Sequence, residues 1–261
     1  MITRSRLWQT AVLGCVLLYL TVPVLATVRF AFSVGGRASA RPVTTLVARP
    51  EFWPTLGRST LLATLTVLCA LVLTVPALVV VRLRLPRLRP VVEVLALLPF
   101  VIPGVILALG LFGLYGAPPL LLTGSPAVLV VAYVITALPL MVRSVDNALE
   151  AIDARTLTEA AESLGAGFGA TLWRVLLPNL KGGLIAGSLL TFAIAFGEFT
   201  LANLLVGAAW KTFPVFMREL PDGHEQSGIA VISFVLTFII SGAVLWAGGR
   251  AARVSATGAV R

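Results

Sequence analysis

Residues 94–142 read VLALLPFVIPGVILALGLFGLYGAPPLLLTGSPAVLVVAYVITALPLMV, an uncharged stretch bounded by Glu93 and Arg143. About 20 apolar residues cross a hydrocarbon core, so this run holds two crossings rather than one. The fold-back falls at Gly116-Ala117-Pro118-Pro119 and Thr123-Gly124-Ser125-Pro126, where Gly and Pro break helices and favour turns. Outward from it, further apolar runs cover 7–28, 59–81, 181–210 and 228–249. With 58% hydrophobic and 12% charged residues, the composition is that of a bilayer protein, not a water-soluble domain. The chain is therefore predicted to be an all-α membrane protein and a single transmembrane domain over 1–261, with six transmembrane helices at about 7–28, 59–81, 94–115, 126–142, 182–206 and 228–249.

Lys and Arg are retained on the cytoplasmic side, which orients the spans. With the amino terminus inside, the cytoplasmic segments hold Arg4, Arg6, Arg82, Arg84, Arg87, Arg89, Arg143, Arg155, Arg174, Lys181, Arg250, Arg253 and Arg261. Those thirteen of twenty outweigh Arg29, Arg37, Arg41, Arg49, Arg58, Lys211 and Arg218 on the far side, so both termini are expected in the cytoplasm. Only the first outer loop runs against the rule. The net charge of +9 then reflects topology and contact with anionic membrane lipid; no aromatic and basic module for nucleic acid is visible.

The amino-terminal run also has the outline of a signal peptide, with Arg4 and Arg6 before it and Val24-Leu25-Ala26 as a cleavage site. It exceeds the roughly 7 to 15 residues of a signal core, and is read as a span. Cys15 and Cys69 lie inside predicted spans, where they serve as small packing residues and not as a disulfide or metal pair. His224, the single histidine, stands beside Asp222 and Glu225 in the last outer loop and is read as solvated. There is no His-Glu-x-x-His pair, no phosphate-binding Gly-rich loop and no Gly-x-Ser-x-Gly elbow. Neither a catalytic residue, a metal site nor a cofactor is expected.

The connection 143–181 is the longest polar interruption and contains EAAESLGAGFGATLWRVLLP at 159–178. Thr156-Leu157-Thr158-Glu159 fits a capping box, which predicts a short helix over 157–164. Gly165 supplies a stop, Gly167 and Gly169 allow a sharp turn, a second helical piece covers 171–177, and Pro178 ends or redirects it. Helices this short are marginal alone, since roughly 12 to 15 residues are needed in water. Ala160 and Ala161 add almost no bulk, so a second protein can approach closely. The acids Asp146, Glu150, Asp153, Glu159 and Glu162 argue against a helix pair lying on an anionic membrane surface.

Glu-Ala-Ala, three residues, Gly, nine residues, an aliphatic, one residue and Leu-Pro resembles the EAA loop of inner-membrane permeases in binding-protein-dependent ABC importers. Every fixed position of that pattern is matched, and six spans with this loop between the fourth and fifth is the family arrangement. The resemblance implies a bacterial cytoplasmic (inner) membrane protein that is not itself an enzyme. Its implied partners are ABC ATPase subunits, a second permease subunit expected to be a different chain, and an extracytoplasmic solute-binding protein. Carried onto this sequence, Glu159, Ala160, Ala161 and Gly165 would form the ATPase-coupling surface of a cytoplasmic two-helix loop, and Leu177 and Pro178 would join it to the fifth span. Phe196-Gly197-Glu198-Phe199-Thr200 and Thr212-Phe213-Pro214 look most like the subgroup importing polyamines, ferric iron or aminophosphonates.

Glu198 interrupts an apolar stretch and is expected deep in the fifth span, where an acid costs about 2.5 to 3.5 kcal/mol at mid-helix. Two readings stay open. Glu198 lines the translocation path and favours a cationic solute, or it serves as interhelical glue with Thr191, Thr200 or Asn203 nearby. Glu93 is expected to pair with Arg89 one turn away. Pro76, Pro99, Pro103 and Pro139 fall within spans and are expected to kink them. The alternatives to a permease subunit are a secondary carrier or an intramembrane enzyme working without an ATPase. A carrier would more often show inverted repeats, and none is visible.

Overall fold

A computed structural model describes the backbone of residues 2–119 and 121–258 and the side-chain surroundings of residues 8–119, 121–243 and Trp246. Arg261 and the side chains of Arg4, Arg6, Arg250 and Arg253, assigned above to the cytoplasmic face, lie outside the described residues. The described chain is helical apart from one two-stranded hairpin and its connections. Among the described residues, four helices are long and apolar enough to cross a membrane, at Trp8–Ala31, Phe52–Leu83, Pro126–Ala151 and Gly223–Ala243. Two bent helix pairs bring the number of spans to six when each pair is counted as one.

By internal contacts the residues group into two compact units, 1–53 with 216–237 and 54–215 with 238–261. The first contains α1 (Ile2–Ala31), whose apolar window is exposed along its length, as lipid allows. A hairpin of β1 (Ser33–Val34) and β2 (Arg37–Ala38) follows, turning at Gly35 and Gly36, both with positive φ. Then comes α2 (Arg41–Val47), opened by Pro42 in its first turn. The first turns of the last helix, α13 (Gly223–Gly258), belong here as well. Glu225 is 6% exposed and is held by the Arg49 guanidinium at 2.7 Å. His224 is not simply solvated: its ring stacks on Phe30 with centroids 4.0 Å apart, and Nδ1 lies 2.8 Å from the Phe30 carbonyl oxygen.

The second unit holds most of α3 (Phe52–Leu83), then α4 (Arg89–Val101), α5 (Gly104–Tyr115) and α6 (Pro126–Ala151). After the polar connection come α7 (Ala154–Ser163), α8 (Phe168–Ala170), a π-helical turn over Thr171–Leu176, α9 (Leu177–Asn179), α10 (Lys181–Gly197) and α11 (Thr200–Leu205). The start of α12 (Phe213–Glu219) closes the unit. At its centre α6 packs along α10, and the approach depends on glycine. A Cβ on Gly183 would collide with Ala148 Cβ and lie 2.6 Å from the Ser144 carbonyl oxygen; one on Gly187 would lie 2.8 Å from Met141 Sδ.

Pro76, Pro99 and Pro139 stand inside helices, whereas Pro103 stands at a break. The expected span over 94–115 is thus not one helix. Ile102 turns extended, Pro103 has no amide to continue the ladder, and α5 leaves α4 at 106°.

Candidate functional site

The connection after α6 folds against its own spans. Ala154, Leu172, Leu176 and Leu180 are buried in one apolar cluster with Val75, Leu78 and Val79 of α3 and Met141, Val142, Val145 and Leu149 of α6. Short helices gain here the burial that they lack alone.

The capping box is not formed. α7 begins at Ala154, after Asp153 in the left-handed region at φ 46°, so Thr156 lies inside the first turn and not at the cap. The Thr156 hydroxyl donates to Asp153 Oδ2 at 2.7 Å, the Thr158 hydroxyl to the Ala154 carbonyl at 2.7 Å, and Glu159 pairs with Arg155 at 2.9 Å. The far end is closed as expected at Gly165, φ +82°. The Gly165 amide donates to the Glu162 carbonyl at 2.9 Å and the Ala166 amide to the Ala161 carbonyl at 3.0 Å, the two bonds of a Schellman turn.

Ala154, Thr158 and Ala161 share the buried face of α7. Glu159, Ala160, Glu162 and Gly165 are exposed on the other side. Ala161 therefore does not offer its small size to an outside surface: it lets α7 sit closely on the chain's own core. Two large side chains without a signal in the sequence are also exposed, Leu164 at 89% just after α7 and Trp173 at 71% on the π-helical turn. Leu177 is half-buried and Pro178 exposed. Pro178 does not end its helix; it occupies the first turn of α9, where a missing amide is tolerated, and the chain bends by 76° at Leu180 into α10.

Above this segment Asp146 is the hub of a charge network. Arg82 Nη1 donates to its Oδ1 at 2.6 Å and Arg89 Nη2 to its Oδ2 at 3.1 Å, while Arg89 also holds Glu93 at 3.0 Å, the pairing expected from their spacing. Arg84 lies over the Phe168 ring at 4.8 Å. Apart from the Arg89–Glu93 spacing, the run Arg82-Leu83-Arg84-Leu85-Pro86-Arg87-Leu88-Arg89 signals only orientation in the sequence; Asp146 and Glu150 of α6 give no pairing signal because their partners Arg82 and Arg89 lie on α3 and α4.

Glu198 is not at mid-helix. α10 stops at Gly197, Glu198 is extended at its end, and α11 starts at Thr200. Its Oε2 accepts the amides of Leu201 at 2.8 Å and Ala202 at 3.2 Å, capping the second half-helix. The Glu198 carbonyl, freed by the break, accepts the hydroxyl of Tyr133 at 3.4 Å, from a residue 1% exposed on α6. The polar company is thus backbone and Tyr133, in place of Thr191, Thr200 and Asn203. Thr191 is buried with its hydroxyl unpartnered.

The matching family model, described as binding-protein-dependent transport system inner membrane component, covers residues 77–249. The molybdenum transport system permease protein ModB of Mycobacterium tuberculosis is 32% identical over 238 residues, spanning 81% of this chain and 89% of that protein. A probable molybdenum ABC transporter permease protein of Haloferax volcanii is 33% identical over 240 residues, 89% of this chain and 85% of its own. The spermidine/putrescine transport system permease protein PotB of Haemophilus influenzae is 32% identical over 178 residues, 59% of this chain and 62% of its own. A match over these spans and this polar connection shows that the chain belongs to the family of binding-protein-dependent transport system inner membrane components, the permease subunits of ABC importers.

Proposed function

We propose that this chain lines the translocation path of an importer for a tetrahedral oxyanion, with molybdenum as its element. Two relatives that cover more than four fifths of both chains carry molybdenum in their names, and oxyanion chemistry agrees with the state of Glu198. A cationic solute was attractive only while that carboxylate stood unpaired in a span. Its Oε2 is taken up by two backbone amides, which removes the reason that Glu198 gave to favour a cationic solute.

The energy comes from ATP on a separate subunit, engaged through the exposed side of α7 and the segment after it. Glu159, Ala160 and Gly165 form the docking face, Ala161 supports it from beneath, and Leu177 and Pro178 carry displacement towards α10. The observation that carries this reading is the shared core that joins α7 and the π-helical turn to α3 and α6, because a load applied to α7 reaches the spans without a flexible tether. The chain acts as one transmembrane domain, with 143–181 and both termini in the cytoplasm, beside a second permease chain and below an extracytoplasmic binding protein.

The test is uptake of radiolabelled molybdate by vesicles holding this chain with the ATPase, second permease and binding protein encoded beside it. Saturable, ATP-dependent uptake that spermidine does not compete away is expected. Competition by spermidine and not by sulfate would overturn the solute assignment, and ATPase that fails to co-purify with this chain would overturn the docking role.

A further inference from the structure

The expected fifth span, 182–206, is interrupted at Glu198, and the interruption is built. Three features hold it. The Glu198 side chain caps α11, the Tyr133 hydroxyl satisfies the carbonyl that α10 leaves unpaired, and α11 lies against the start of α5, where the third span is also broken. The contact between the two breaks is close. A Cβ on Gly104, the first residue of α5, would stand 3.8 Å from Thr200 Cγ2 and 4.0 Å from Thr200 Cβ. Two interrupted helices that start their second halves side by side have, at that level, no continuous hydrogen-bond ladder in either, so relative movement there costs fewer backbone bonds than within any of the half-helices.

We propose that Glu198 is a positioning residue: it keeps the fifth span broken so that Thr200 rests on Gly104, and this contact between the two breaks is the point at which the path closes. The idea rests on the reading that this chain lines a translocation path, but not on the identity of the solute. Glu198 touches backbone amides, not solute. Both amide bonds go to a single oxygen, so a neutral carboxamide oxygen can take its place, whereas a methyl group cannot.

The geometry supplies its own probe. Disulfides join residues whose Cβ atoms are about 3.5–4.5 Å apart, and the 4.0 Å between Gly104 and Thr200 falls within that range. The Gly104→Cys/Thr200→Cys pair is introduced with Cys15→Ala and Cys69→Ala into the full transporter, and crosslinking in membranes is read as loss of maleimide labelling after denaturation. With Glu198 or Glu198→Gln in place, oxidation should crosslink the pair; Glu198→Ala should lower the yield about fivefold, the population shift that one lost helix cap carries. The crosslinked transporter should stop uptake of radiolabelled molybdate and regain it on reduction. In the chain without added cysteines, Glu198→Gln should keep uptake, while Glu198→Ala should lower its maximal rate and leave the half-saturating concentration unchanged.

Equal crosslinking in Glu198→Ala would overturn the positioning role, as would Glu198→Gln failing in both assays. Full uptake by the crosslinked chain would overturn the closure point. A transporter that crosslinks as described but takes up no molybdate even with Glu198 in place would reject the solute assignment and leave the positioning role standing.

Discussion

Gly165→Ala and Gly165→Asn, made separately, tell apart the two ways in which this glycine can matter. Gly165 sits at φ +82° and nothing lies within 4 Å of where its Cβ would be. Within the chain, then, size is no obstacle, and the cost of a side chain is torsional. For alanine the left-handed conformation costs about 1–2 kcal/mol, whereas asparagine visits it more readily through its short polar side chain. A penalty of about 1–2 kcal/mol shifts the closed turn against open forms by a factor of roughly 5–30. What opens is the pair of bonds from the Gly165 and Ala166 amides to Glu162 and Ala161, and with them the direction in which the chain leaves α7. The assay is solute-stimulated ATP hydrolysis by the reconstituted complex, read beside the amount of ATPase that co-purifies. The expected order of activity is glycine, then asparagine, then alanine. The reverse order for the two variants, the smaller side chain being the better tolerated, would refute the torsional reasoning and point to a clash with the partner's surface. Normal activity in both would refute docking at this corner.

Gly183→Ala should destabilise the detergent-solubilised chain by about 1–3 kcal/mol through overpacking against the Ser144 carbonyl and Ala148, whereas Gly182→Ala, with open space at its Cβ, should be neutral or slightly stabilising; thermal unfolding compares them. Asp146→Asn neutralises one of the two carboxylates shared by Arg82 and Arg89, Glu150 being the other, and because Arg89 is 43% exposed, solvent screening limits the loss to about 1 kcal/mol; the deficit should shrink in high salt when unfolding is followed at two ionic strengths. Arg49→Ala leaves the buried Glu225 carboxylate without its cation and should cost about 2 kcal/mol, most of which Glu225→Gln in the same chain should restore in a double-mutant cycle.

The apolar runs and the spacing from Glu159 to Pro178 were legible because each depends on neighbours in the chain: span length on local hydropathy, the motif on a fixed register. The Gly165 turn was legible for the same reason, since a left-handed residue after a helical run strongly favours glycine. What escaped depends on distant partners. The direction of Ala161 is set by a helix start three residues earlier than the capping pattern indicated. Arg155 takes Glu159 away from the cap, and the core cluster then selects Ala154, Thr158 and Ala161 as one inward face. The break at Ile102 leaves no trace in hydropathy, because a bent pair of half-helices is as apolar as a straight span, and at Glu198 hydropathy shows the acid but not the break. The amides of Leu201 and Ala202 and the remote Tyr133 distinguish an acid that caps a break from an acid stranded at mid-helix.

The coupling proposed here asks one short segment to pass displacement in two directions, and the residues divide that task. Leu172 and Leu176 of the π-helical turn are buried against α3 and α6, so movement of α7 is passed to those spans. The same turn continues through α9 into α10 after the 76° bend at Leu180. A π-helical turn carries an extra residue in the ladder, and returning it to α-helix advances everything after it by about 1.5 Å and 100°. Gly183 and Gly187 seat α10 tightly along α6, and the proposed coupling moves α10 along its own axis. That axis ends at Glu198, where the cap on α11 separates the moving half-helix from the contact at Gly104. A rigid, unbroken fifth span would pass the push straight through the membrane; a broken one turns it against the neighbouring break, where a path between helices can open.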